Sequence, residues 1–274
     1  MIYKFYGKNE IENILERNRI YFTPPKYFND INEVSPRNEK NIKDYSFYKH
    51  FYKNPIIKKL WEKRYSEMKF NDFKRKVIVD RKFRKELKKA ISTANEKVVN
   101  KFQDVFSENI GICCFTHNIN SHLMWAHYAN SHDGICIGFD FKKSDFEVYY
   151  MGDVKYNKNK CIWKNKVVTL EDHHKHKEYC KIALWKSKEW RYEKEYRMFE
   201  ELKNCAEESR ENIIFYFKEI DITDIKEIYF GINFKKEKDV KSIMDIKNKE
   251  VKFYKMEKNN INYDLDVVLF ENAT

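Results

Sequence analysis

Seven consecutive residues, Ile110-Gly111-Ile112-Cys113-Cys114-Phe115-Thr116, carry no charge and no apolar–polar alternation. A strand of that composition is not an edge; it predicts burial on both faces, in a sheet covered above and below. A second run, Gly134-Ile135-Cys136-Ile137-Gly138-Phe139-Asp140-Phe141, puts Ile135, Ile137, Phe139 and Phe141 on one face and small residues on the other. Between the two, Asn120 or Ser121 can cap a helix reaching Ser131 that carries Leu123, Met124, Trp125 and Tyr128.

The remaining elements follow from periodicity. Residues 1–6 read as a strand. Asn9 can cap a helix through Ile11, Ile14 and Leu15, and Ile20–Thr23 is a strand stopped by Pro24-Pro25, with Phe28-Asn29-Asp30 as a turn. Further strand pieces are expected near 148–156, 192–199, 212–220, 226–231, 251–256 and 264–270, with a helix near 172–187. Strands dominate both halves and regular βαβ alternation is missing, which predicts an α+β fold, in a single domain spanning 1–274.

One segment differs in character. From about 55 to 105, Leu60, Trp61, Tyr65, Met68, Phe73, Val77, Phe83, Leu87, Ile91, Val98 and Phe102 recur at mostly helical intervals. Residues 56–100 hold 15 Lys/Arg against 6 Asp/Glu, within a chain of net charge +11. Two or three basic helices inserted into the fold are expected here. Such a face is either simply solvated or attracts RNA or DNA.

Several function classes lose their signature. There is no G-x-x-x-x-G-K-[ST] and no G-x-G-x-x-G, so no P-loop or Rossmann phosphate cradle. No G-x-S-x-G elbow appears. The six cysteines lack a C-x-x-C pair, no signal-peptide layout opens the chain, and no apolar run approaches a membrane span; a cytoplasmic protein with reduced thiols is expected. His117, His122, His127 and His132 recur every five residues, about 140° apart around a helix, so they do not share one ion; His173, His174 and His176 read as a solvated helix face, and no metal site is expected.

What remains is a set of polar residues at strand ends: Lys4, Asn29, Asp30, Thr116, His117, Glu193, Glu195 and Arg197. On a strand running through Trp190–Phe199, Glu193, Glu195 and Arg197 share one face while Tyr192 and Tyr196 share the other. The bland reading is a solvated Glu–Arg pair; buried, the same residues need each other or a site that uses them. Lys4 is equally a surface charge, Asn29 and Asp30 turn formers, and Thr116 a helix-entry cap.

Tyr3-Lys4-Phe5, Phe28-Asn29-Asp30 with Glu33, Met124-Trp125-Ala126-His127-Tyr128 followed by Gly134–Phe139, and Trp190-x-x-Glu193-x-Glu195-x-Arg197 together resemble the bacterial domain-of-unknown-function family 2971. The pattern runs in order from residue 1 to Gly231; the chain departs from it at Ile31, where Pro is expected, and at Thr116, where Ser is more usual. A looser resemblance is to ADP-ribosyltransferase-like folds, which implies a split, mainly antiparallel sheet. By that resemblance Lys4 takes the first-strand position that contacts NAD, although His or Arg stands there in the family. Thr116 takes the second position, Glu195 is the catalytic glutamate, and Glu193 sits where some members orient the acceptor. Tyr21, Trp125 and Tyr128 are the aromatic candidates to stack on nicotinamide. The implied activity is cleavage of NAD, without a metal, and modification of a nucleic-acid or protein acceptor, as in a toxin or phage-defence effector with an antitoxin or regulator as partner. The alternative is a metal-independent nuclease or nucleic-acid-binding module using the basic helices, with His117 or His127 as acid and base.

Overall fold

The computed structural model describes residues 1–30, 32–38, 52, 69–141, 146–163 and 176–270. Expectations for Ile31, for Leu60, Trp61, Tyr65 and Met68, and for His173 and His174 lie outside the described residues. The chain groups into two compact units: Met1–Val34 with Phe106–Lys160 and Asp172–Thr274, and Ser35–Val105 with Cys161–Glu171.

In chain order the strands are β1 (Ile2–Tyr6), β2 (Arg19–Tyr21), β3 (Arg37–Asn38), β4 (Ile110–Thr116), β5 (Ile135–Phe139), β6 (Tyr150–Asp153), β7 (Lys155–Asn157), β8 (Ile162–Trp163), β9 (Trp185–Ser187), β10 (Glu195–Glu201), β11 (Ala206–Arg210), β12 (Ile213–Glu219), β13 (Ile225–Phe230), β14 (Lys252–Lys258) and β15 (Leu265–Leu269). Eight of them form one sheet in the order β15-β14-β13-β5-β1-β4-β10-β6. Every pairing in it is antiparallel except β13 with β14, which the helix Glu237–Lys247 joins as a parallel crossover. The fold is therefore α+β with a mainly antiparallel sheet. Within the same unit β11-β12-β2 make a smaller sheet and β7 pairs with β9.

Alternation along β1 explains why β4 and β5 are apolar throughout. Tyr6 goes to one face with Phe115, Ile135, Ile137, Phe139 and Met198, covered by Val240 and Met244. Phe5 goes to the other with Cys136 and Tyr229, covered by Met124 and Trp125 of the helix His122–Tyr128. That helix starts where expected, with the Ser121 hydroxyl accepting from the Met124 N–H.

The sheet parts between β1 and β4, and this creates the site. β1 pairs with β5 over all five of its residues but with β4 only at Tyr3↔Thr116. Upstream of that point β4 turns instead to the chain after β2, where Thr23 and Ile112 exchange two backbone hydrogen bonds of 3.0 Å. Gly111 permits the approach, because a Cβ there would lie 2.7 Å from the Phe22 carbonyl oxygen. The Cys114 carbonyl, left without a strand partner on this side, accepts from the Lys4 ammonium at 3.2 Å.

Two expected elements are corrected. The helix near 172–187 ends at Ala183, and Trp185–Ser187 are strand β9, hydrogen-bonded to β7. The segment from Trp190 is not strand throughout. Lys188–Glu193 form a 3-10 helix, Lys194 is left-handed at φ 41°, and the strand starts at Glu195. The β-rich flanks hid this turn, which carries no Gly or Pro to announce it.

In the second unit, β3 pairs with β8, and the helices Phe70–Val79 and most of Arg81–Asn109 bury Phe73, Val77, Phe83 and Leu87. Asp80 caps the second helix through the Phe83 N–H at 2.9 Å. Arg75, Arg81, Lys82, Lys85, Lys88 and Lys89 are exposed, as a basic solvated face requires.

Candidate functional site

The split between β1 and β4 opens into a cavity of ≈ 330 Å³, lined in part by Lys4, Thr116, Tyr128, Lys186, Glu193 and Glu195. Its volume is at the low end for small-ligand pockets, about 300–1,000 Å³. Lys4, Thr116 and Glu195 reach it from three neighbouring strands, since Thr116 is opposite Tyr3 on one side and Glu195 on the other.

At its floor lies a buried charge network. Arg197, with 0% exposure, donates through Nε and Nη2 to the two Glu195 oxygens at 2.7 and 2.9 Å, and through Nη1 to Glu33 and to the Ala183 carbonyl, both at 2.6 Å. Lys186 donates to Glu193 at 2.6 Å and to Glu195 at 3.1 Å, and stands 3.9 Å from Glu33. Glu193 also accepts from the Tyr128 hydroxyl at 2.7 Å. The 3-10 turn and the left-handed Lys194 let Glu193 and Glu195, on different elements, meet the same ammonium. Two oxygens of Glu195 and the guanidinium fork form the bidentate geometry that a lysine at 197 does not offer.

The environment drives the two acids apart. Burial opposes ionisation of Glu195, but the Arg197 and Lys186 charges and the Arg197 hydrogen bonds outweigh it and hold the carboxyl down at about 2. For Glu193 burial prevails over Lys186, and its proton affinity is raised. Burial likewise disfavours the Lys186 ammonium, yet Glu195, Glu33 and Glu193 more than compensate, so the lysine stays charged. Burial and the neighbouring Glu193 raise the Tyr128 phenol, which remains a donor. One carboxylate locked as an anion beside another able to take a proton is the arrangement acid–base chemistry uses.

The linkage has a sign that can be measured. The folded carboxyl of Glu195 titrates at about 2 rather than the ordinary 4.5, so its contribution is present above pH 4.5 and is lost as pH falls toward 2. Glu193, raised, acts oppositely: it favours the fold below its ordinary range and less so as pH rises. Urea midpoints measured from pH 6 to pH 2 should fall steeply for the native chain and less so for Glu195→Gln.

Thr116 is a positioning residue. Its hydroxyl donates to the Glu193 carbonyl and accepts from the Asn118 N–H at 2.8 Å, so it ties the 3-10 turn to the end of β4. Asn118 adds a bond to the Tyr192 carbonyl at 3.1 Å. Thr116→Val removes both hydroxyl bonds at nearly constant volume and should cost about 1–3 kcal/mol in urea unfolding, whereas Thr116→Ser should be near neutral.

Other expected residues lie elsewhere. Trp125 is fully buried, with Nε1 donating to the Ile119 carbonyl at 2.7 Å and its ring edge-on to Phe5. Tyr21 is on the smaller sheet, its hydroxyl donating to Glu208 at 3.4 Å and accepting from Arg210 at 3.1 Å. Neither lines the cavity, while Tyr128 does. Asp30 closes a turn onto the Asn32 N–H at 2.8 Å. His117 pairs with Asp153 at 2.9 Å in an exposed position. Among the described residues no group of three or more His, Cys, Asp or Glu is placed to hold a metal ion.

Sequence reasoning did not single out Lys186 or Tyr156, whose hydroxyl accepts from the Glu195 N–H at 2.8 Å. Glu33 was visible only as part of a family pattern. In a chain with 54 Lys and Arg, a lysine carries little signal of its own. Three clustered carboxylates at 33, 193 and 195 against one Arg were the available hint that a further cation was needed.

The family model described as "Protein of unknown function (DUF2971)" matches residues 124–198. The matched stretch includes Tyr128, Lys186, Glu193, Glu195 and Arg197, while Lys4, Glu33 and Thr116 precede it. No curated protein and no solved structure matches the chain.

Proposed function

We propose that this site cleaves the nicotinamide–ribose bond of NAD and transfers the ADP-ribose to an acceptor, in the manner of ADP-ribosyltransferase-like enzymes. The observation that carries the reading is the meeting of Lys4, Thr116 and Glu195, from β1, β4 and β10, on one cavity at the split of the sheet. The charges suit the ligand. The Glu195 anion lines the cavity where the cationic pyridinium would lie, and the Lys4 ammonium is at hand for a phosphate or the carboxamide.

In the reaction the C1′–N bond breaks and its electron pair leaves with neutral nicotinamide. Positive charge develops on the ribose, and the fixed anion of Glu195 stabilises it without reorganising. The acceptor oxygen or nitrogen then bonds to C1′, and its proton passes to Glu193, the acid with the raised proton affinity. With water as acceptor the product is free ADP-ribose. Tyr128 and Lys186 hold Glu193 in place; Arg197 and Tyr156 hold Glu195.

The exposed Lys and Arg of Phe70–Val79 and Arg81–Lys89 support a polyanionic acceptor, RNA or DNA, and a role as a toxin or phage-defence effector. The same face favours the second reading, a nucleic-acid-binding module; salt-sensitive binding of RNA or DNA with no effect of NAD would select it. The test is incubation of purified protein with NAD and nucleic acid or lysate. Release of nicotinamide with a mass gain on an acceptor is expected, and intact NAD in every condition overturns the proposal.

A further inference from the structure

A second cavity of ≈ 210 Å³ shares Thr23 and Tyr27 with the first. Its wall is otherwise apolar and largely aromatic, with Tyr21 from β2 and Ile214, Phe215 and Tyr216 from β12. Ile213, Ile214 and Tyr27 leave large apolar surface in water, 46%, 44% and 55% exposed. Exposed apolar surface grouped around a concavity marks a place where something binds.

Charge stands beside two of the lining residues, Tyr21 and Phe215. Arg17, Arg19 and Arg210 all reach Glu208, at 3.4, 3.4 and 2.9 Å, so three guanidinium groups share one carboxylate there, and among the described residues only Arg17 meets a further acid, Glu12. Arg210 also spans the wall, donating to the Tyr21 hydroxyl at 3.1 Å with its guanidinium 5.5 Å from the Phe215 ring centre. An aromatic slot with a guanidinium beside it fits a flat heterocycle carrying phosphate.

We propose that this second cavity is the purine subsite for the same dinucleotide whose reactive half enters the first, with Thr23 and Tyr27 as the wall between them. The inference rests on the NAD reading of the first cavity. The modest volume of the first cavity, ≈ 330 Å³, follows from it, because that cavity then holds only the nicotinamide ribose. Tyr21 thereby contacts the ligand at its adenosine end rather than at nicotinamide.

The test uses the two halves of NAD separately. AMP, nicotinamide mononucleotide and NAD are titrated calorimetrically into the wild type, Phe215→Ala and Ile214→Asp. Ile214 is 44% exposed, so its variant keeps the fold even where Phe215→Ala does not. The expected result is that AMP binds the wild type, that both variants weaken AMP and NAD at least tenfold in parallel, and that nicotinamide mononucleotide is bound as before. No AMP binding, or AMP affinity within twofold of wild type in both variants, overturns the subsite even if NAD is cleaved. AMP binding lost in the variants, with NAD neither bound nor cleaved, upholds a nucleotide slot and sinks the NAD reading instead.

Discussion

Arg197→Met should lower the unfolding free energy by about 3–5 kcal/mol, the cost of breaking a buried ion pair from one side. The guanidinium is fully buried and makes four hydrogen bonds, two to Glu195, one to Glu33 and one to the Ala183 carbonyl. Methionine fills the volume but takes the guanidinium away from two buried carboxylates, Glu195 and Glu33. A domain holds only about 5–15 kcal/mol in reserve, so poor soluble yield is part of the prediction. Arg197→Lys should recover part of the loss, because an ammonium keeps the charge and not the fork. Urea unfolding followed by near-ultraviolet circular dichroism reads the difference. A loss under about 1 kcal/mol would mean that the network contributes little to the fold.

Glu195→Gln should reduce nicotinamide release by about 10²–10³-fold, the size seen when one preorganised electrostatic contact to developing charge is removed. The amide retains the shape of the side chain and one acceptor oxygen, but it has no charge to set against an oxocarbenium-like ribose. It also presents N–H donors to Arg197 and Lys186, so some stability is lost with the activity. The loss of turnover must therefore be taken from material whose near-ultraviolet spectrum matches the wild type. Glu193→Gln separates the roles further: it should slow transfer to an acceptor more than it slows release of nicotinamide, because only the former step needs a carboxylate there to take up a proton.

The sheet was legible because its strands obey simple rules. Ile110–Thr116 is too apolar for an edge, and it lies between β1 and β10 with both faces covered. Ser121 caps the following helix as its type and position imply. The turn before β10 was not legible, since local sequence gives no reason for Lys194 to adopt φ 41°; that conformation is imposed by the Thr116–Glu193 and His117–Lys194 bonds across β4. Strand β9 was hidden by the same tertiary override of weak local pattern, whereas the helix Glu237–Lys247 was readable from Val240, Ile243 and Met244 at helical spacing and was missed.

At the site, Lys4, Thr116, Glu193, Glu195 and Tyr128 were named from strand ends and resemblance, and they line one cavity. Lys186 was not, because its place depends on a long-range approach of β9 that no spacing in the sequence encodes. Trp125 and Tyr21 were named for having aromatic rings, a property that core packing and a separate sheet use equally well. Residue type proposes a contact; only register and burial decide which partner receives it.

The most direct test of the central claim is nicotinamide release from NAD, measured side by side for the wild type and for folded Glu195→Gln. The account predicts turnover by the wild type and a loss of at least 100-fold in the variant. No release by the wild type, or equal release by both, would contradict it.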